Sequence, residues 1–203
     1  MSPEITDRIL VLDREVRGDR LFHLTVLGER LGVGLVLLRR SRKRATPDLY
    51  DSVQVQVGRK STTAPWFVGE FEVLRRRERL ARDWKALATA ARLSRFFERN
   101  ATHVEHVSHA LVLATQALDA LEESIFGEAV LLKTLFRFAQ AEGFAVREDW
   151  LPNLSETDRR HALAVLGKPL REGGWEGAEP TPALAALVFS LEDWLRREAD
   201  FHF

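Results

Sequence analysis

Near residue 75 the hydrophobic period of this chain changes, and that change constrains the fold more than any other feature. Before it, apolar residues alternate with polar ones, which is the pattern of half-buried strands. After it, they recur every three to four residues, which is the pattern of helices. Residues 9–16 (ILVLDREV) run from apolar to polar. In residues 20–27 (RLFHLTVL), Leu21, His23, Thr25 and Leu27 share one face, and Phe22, Leu24 and Val26 the other. Gly28 and Gly32 flank a turn, and residues 34–38 continue as a third strand. Val53, Val55 and Val57 alternate with Gln54 and Gln56. Residues 66–74 (WFVGEFEVL) form a fifth strand, with Phe67, Gly69, Phe71 and Val73 expected on one side. Five short strands in some seventy residues suit a small closed barrel, either an OB-fold or an SH3-like barrel. The class expected is α+β: a five-stranded OB-fold β-barrel over residues 1–78, then an all-helical domain over 79–203.

In residues 80–99 the spacing puts Leu80, Trp84, Leu87 and Ala91 on one apolar face, with Leu93, Phe96 and Phe97 pointing elsewhere. Val104, Val107, Leu111, Ala114, Leu118 and Leu121 form the stripe of a second helix. Residues 128–141 form a third, stopped by Gly143. Ser155, with Asp158 three residues on, has the pattern of an N-cap. Residues 167–182 hold four Gly and three Pro and read as a loop, and a last helix follows over 182–197.

Composition narrows the function. The chain has 203 residues, 30 Lys+Arg, 30 Asp+Glu and no cysteine. Disulfides, thiolate metal sites and cysteine nucleophiles are excluded, and a reducing compartment fits. Glu4, Asp7 and Arg8 stand where a signal peptide needs an apolar core, and no run near the N-terminus is long enough to span a bilayer. The net charge of zero conceals an asymmetry. Residues 1–100 carry 21 basic against 13 acidic residues, and residues 101–203 carry 9 against 17. A basic half that meets a polyanion explains this, whereas attraction between the halves leaves a local cluster of like charges unexplained.

That cluster is RRSRKR, with Arg39, Arg40, Arg42, Lys43 and Arg44 between two barrel strands. Barrels of this kind bind single-stranded nucleic acid with a positive track and aromatic platforms. Tyr50, Trp66, Phe67 and Phe71 are the aromatics nearby, although strand aromatics more often pack inward. Arg59 and Lys60 follow the fourth strand, and Arg75, Arg76, Arg77 and Arg79 follow the fifth. Arg75, Arg76 and Arg77 precede a helix, where positive charge opposes the helix dipole and an anion would relieve it. The plainer reading of each cluster is a solvated surface. It is favoured for Arg59–Lys60, and also for Lys85, Arg92, Arg95 and Arg99 on the first helix.

Catalytic signatures are missing: there is no phosphate-binding glycine loop, no nucleophile elbow and no distinct acid–base pair. His103, His106 and His109 in HVEHVSH could share one side of a helix, but they flank its apolar stripe and no second ligand cluster accompanies them. Neither an enzyme nor a bound cofactor or metal is expected.

The order of these segments resembles the bacterial recombination mediator RecO family. It is carried by DREVRGDRLFHLTVLGERLG, an apolar strand, RRSRKR and an alternating strand. WKALATAARLSRFFERN is similar to that family's first domain helix, and FGEAVLLKTLFRFAQAEGFAV to a later one. The likeness covers most of residues 8–148. The four-cysteine zinc site of many members is replaced by REDWLPNLSETD, so a zinc-less variant is implied, and the chain is short for the family. Val36-Leu37-Leu38 and Leu49-Tyr50-Asp51-Ser52 also depart from the family's usual residues around the basic loop. The resemblance implies a cytoplasmic, nucleoid-associated, non-enzymatic protein of DNA repair. Such a protein binds single- and double-stranded DNA, anneals strands, contacts RecR and the single-strand binding protein SSB, and indirectly helps load RecA. It carries DNA contacts to Arg39, Arg40, Arg42, Lys43 and Arg44 alone.

Overall fold

The computed structural model describes residues 4–41, 45–102, 104–123, 126–167 and 182–203. The N-terminal segment is a closed five-stranded barrel, and helices follow it. The strands are β1 (Glu4–Arg17), β2 (Leu21–Gly28), β3 (Gly32–Arg39), β4 (Ser52–Gly58) and β5 (Trp66–Arg75), in the cyclic order β1-β2-β3-β5-β4. β1 is long enough to close the barrel by itself. Its first half, Glu4 to Leu10, pairs with β4, and Ile9 to Arg17 pairs with β2. A register shift between Val11 and Asp13 bends it from one partner to the other. All neighbours are antiparallel except β3 and β5, which are parallel at Val36–Trp66 and Leu37–Phe67.

Alternation fills the interior. Phe22, Leu24 and Val26 of β2 and Val53, Val55 and Val57 of β4 are buried together with Ile9, Val11, Val36 and Leu38. Each such side chain contributes about 1.5–3 kcal/mol on burial. The β2–β3 turn hangs on Asp7, a buried carboxylate that accepts the Arg30 N–H at 3.0 Å and the Leu31 N–H at 2.9 Å. Position 28 must be glycine for that reason: a Cβ there would lie 2.4 Å from the Asp7 carboxylate.

β5 departs from the expected alternation. Glu70 pairs with Gln56 but Val68 pairs with Val57, so Gly69 is an extra residue and the strand bulges there. Phe67 therefore does not share a face with Phe71. Trp66, Val68 and Phe71 pack on the core, and Phe67 turns out to solvent, 37% exposed.

Two compact units make up the chain, Met1–Glu78 with Ser94–Thr115, and Arg79–Leu93 with Gln116–Phe203. The division passes through two helices, α1 (Trp84–Asn100) and α2 (Val107–Glu122). Asp83 caps α1, its carboxylate accepting the Lys85 N–H at 2.9 Å. Of the two apolar sides expected of α1, the one carrying Leu93, Phe96 and Phe97 is buried and the one carrying Trp84 and Leu87 is not. Leu80 is buried, but Trp84 is 74% exposed and Leu87 is exposed, while Ala86, Ala90, Leu93, Phe96 and Phe97 are buried. Alanines and large apolar residues share the inward stripe.

The helices completing the second unit are α3 (Gly127–Ala141), α4 (Glu156–Gly167) and α5 (Pro182–Glu198). α3 ends as its sequence dictates. Gly143, at φ +83°, donates to the Gln140 carbonyl, and the Phe144 N–H reaches the Ala139 carbonyl at 3.0 Å. Ser155 caps α4 through the Asp158 N–H at 3.1 Å, and also hydrogen-bonds the Asp158 carboxylate. Within this unit Arg92 reaches the buried Glu192 at 2.6 Å, and the Trp150 indole N–H donates to Ser190. Among the described residues no helix is long and apolar enough to cross a membrane. The glycine- and proline-rich loop expected over 167–182 lies, but for its end residues, outside the described residues.

Candidate nucleic-acid interface

The basic segment starts where β3 stops. Arg39 and Arg40 are exposed, and Arg42, Lys43 and Arg44 lie outside the described residues. The Arg40 N–H donates to the Arg20 carbonyl at 2.9 Å, and its guanidinium lies 5.3 Å from the Phe22 ring centroid. Arg14 stacks on the same ring at 4.1 Å and reaches Asp48 at 2.8 Å. Partial burial pushes the Asp48 carboxyl up, but the Leu49 N–H and Arg14 outweigh it and hold it below its usual range.

The far side of the loop is tied down by the arginines after β5. Asp51 is buried and accepts the Asp48 N–H at 2.9 Å and Arg76 Nη1 at 3.0 Å. Burial raises its pKa, and the Asp48 N–H and Arg76 offset part of the rise. Arg76 also donates to the Thr46 carbonyl. Arg77 is 3% exposed, and its Nη1 donates to the Tyr50 carbonyl and to Ser52 Oγ. These bonds hold Tyr50 at φ +66°, a conformation that side-chain-bearing residues seldom adopt. Arg75, Arg76 and Arg77, expected from the sequence as DNA-binding residues, do not share one surface. Arg75 is exposed, Arg76 is half-buried against a carboxylate, and Arg77 is buried. Arg76 and Arg77 brace the base of the basic loop.

A groove of about 880 Å³ lies where β3, β4 and β5 meet. Arg39, Arg59, Lys60 and Phe67 line it together with Glu4 and Gln56. Arg59 is held in place, its guanidinium 4.3 Å from the Trp66 ring and its Nη1 2.9 Å from the Thr62 carbonyl. The clusters after β3 and β4, separate in sequence, thus meet in one positive trough. Of the four aromatics considered, Tyr50 is buried and Trp66 and Phe71 are partly buried in core packing. Phe67 alone of the four is exposed. The sequence did carry a signal for this, since glycine inside a strand marks a bulge.

Lys85, Arg92, Arg95 and Arg99 are exposed along α1. His103 lies outside the described residues. His106 precedes α2, and its carbonyl accepts the His109 N–H at 2.9 Å. Among the described residues no group of three or more His, Asp or Glu is placed to hold a metal ion. The chemistry on offer in the trough is attraction of phosphate by delocalised and point charges beside an open aromatic ring. No protein-family model matches the chain, and no curated protein matches it significantly.

Proposed function

We propose that this protein is a non-enzymatic DNA-repair and recombination mediator of the RecO type, with the barrel as its nucleic-acid-binding module. The observation that carries the reading is the trough itself, in which Arg39, the first residue of the basic cluster, gathers with Arg59 and Lys60 from a separate segment. The strand order and the parallel β3–β5 seam support an OB-type barrel, an architecture that binds oligonucleotides across its strands and loops. Arginine-rich contacts of this kind grip phosphates without reading sequence, which strand annealing requires. In this reading the protein works in the cytoplasm at the nucleoid and binds single- and double-stranded DNA. The acidic second half of the chain docks RecR and SSB, and RecA loading follows indirectly.

The test is DNA binding by fluorescence anisotropy across a salt series, for the wild type and for a variant with Arg39, Arg40, Arg42, Lys43 and Arg44 changed to Ala. A steep fall of log K with log salt in the wild type is expected. Each contact removed makes the slope shallower by about 0.7 for a single strand. Equal, weak binding by both proteins would instead make the loop a solvated surface or a dock for an acidic protein. If binding is found, annealing of SSB-coated strands separates a mediator from a simple binding module.

A further inference from the structure

We infer that the trough contains a base-stacking subsite built on Phe67, and that this subsite makes the protein favour single-stranded over double-stranded nucleic acid. The inference rests on the nucleic-acid reading above and adds to it the residue and the form of ligand. Three observations carry it.

The first is that the ring is open. The bulge at Gly69 turns Phe67 out of the barrel, and its cross-strand partner on β4 is Gly58, which has no side chain to cover it. Glycine also stands two residues on, at Gly69, and lines the same trough. The partner of Phe67 on β3 is Leu37, and with that neighbour in place the ring is still 37% exposed, so it loses hydrophobic stabilisation unless something covers it.

The second is that the other rings of the barrel strands are already occupied. Arg59 lies over Trp66 at 4.3 Å, Arg14 and Arg40 lie over Phe22, and Phe71 packs on the core. Among the described residues, Phe67 is the one exposed aromatic of the barrel strands.

The third is charge. Arg39 and Lys60 are exposed in the same trough, and no carboxylate among the described residues pairs with either. Glu4, which also lines the trough, accepts from Gln56 at 3.3 Å. A strand whose phosphates are held by Arg39 and Lys60 brings a base to the ring that lies in the same trough. Stacking needs a base with a free face. A single strand supplies one, and a paired base inside a duplex does not. Since every base has such a face, the subsite adds affinity without choosing sequence.

The experiment compares wild type, Phe67→Ala, Phe67→Leu and Phe67→Trp on three labelled probes: an oligothymidine strand, its duplex with oligoadenosine, and an abasic strand of equal length. Stacking on an aromatic ring predicts that Phe67→Ala and Phe67→Leu bind oligothymidine roughly ten-fold more weakly. Their salt slopes stay unchanged, because no phosphate contact is lost. Phe67→Trp binds at least as well as wild type. Duplex and abasic probes bind all four proteins alike, which also shows that the variants are folded. Wild-type affinity for oligothymidine retained by Phe67→Leu, or an equal loss on all three probes, overturns the stacking subsite and leaves the nucleic-acid reading intact. Absence of salt-dependent binding by the wild type to any probe overturns both.

Discussion

Arginines at the ends of β3 and β5 look alike in sequence and do opposite work. After β3, Arg39 and Arg40 stay exposed, one lining a trough and the other lying near Phe22. After β5, Arg76 grips a buried carboxylate and Arg77 is buried against the turn that ends the basic loop. The difference is one of surroundings. The chain after β5 passes beneath the turn at Asp48–Asp51, whose inward carbonyls and carboxylate must be satisfied, and guanidinium groups satisfy them. Among the described residues no carboxylate pairs with Arg39 or Arg40 where the chain leaves β3. A positive run in a sequence is therefore a statement about available charge and not about where that charge is used.

Breaking the structural member of the pair should have the largest effect. Arg77→Met leaves the Tyr50 carbonyl and Ser52 hydroxyl without their donor, and should lower unfolding stability by about 3 kcal/mol. A urea midpoint unchanged from wild type would show that the contact contributes nothing. Arg76→Gln comes next, at about 2 kcal/mol near neutral pH. Its pH dependence has a definite sign. The folded-state pKa of Asp51 is raised above 3.8, so the carboxylate's penalty on folding builds as pH rises from 3.8 to that folded value and is full above it. Removing the cation raises it further, so the deficit of the variant should shrink as pH falls toward 3.8. A deficit that is constant or grows on acidification contradicts this account.

Whether burial alone decides a cation's role can be sharpened in the second unit. Lys133 of α3 is 1% exposed, and its Nζ lies 3.5 Å from the Val165 carbonyl in the last turn of α4. Burial, with Arg137 nearby, lowers its pKa from 10.5. A lowered amine binds its proton less tightly folded than unfolded, so its penalty is full at low pH and vanishes as pH rises to about 10.5. Lys133→Met should gain about 1 kcal/mol at neutral pH, and calorimetry at increasing pH should see that gain disappear. The smallest effect on folding is expected from Arg39→Ala, within about 0.5 kcal/mol. Its DNA-binding salt slope should nonetheless become shallower by about 0.7. Unfolding and anisotropy together thus separate the two kinds of arginine, since each variant should move one readout far more than the other.

Much of the fold was legible because short-range rules govern it. The period-two runs, the GERLG turn, the Gly143 stop and the Ser155 cap each depend on a few neighbouring residues. The site was legible in part. Arg39 and Arg40 stand at the loop where charge density placed them, but the Phe67 face of β5 and one of the two apolar sides of α1 differ from the sequence reading. On β5 a single inserted residue at Gly69 reverses every side chain before it. On α1 the spacing aligned Trp84 and Leu87 with Leu80, but the buried stripe runs along Ala86, Ala90, Leu93, Phe96 and Phe97.

By itself the sequence determined the barrel-then-helix order, the glycine at position 28 as part of a turn, and the excess of charge in the first half. Each follows from periodicity or composition, which need no knowledge of distant partners. Tertiary structure alone decided which arginines face solvent, which aromatic is open, and that the clusters after β3 and β4 share one trough. Those outcomes depend on strand register and on closure of the barrel between β1 and β4, which bring together residues some fifty positions apart. Apart from the glycine that marks the β5 bulge, no local pattern encodes them, because a shift of one residue in register would exchange the inside of the barrel for the outside.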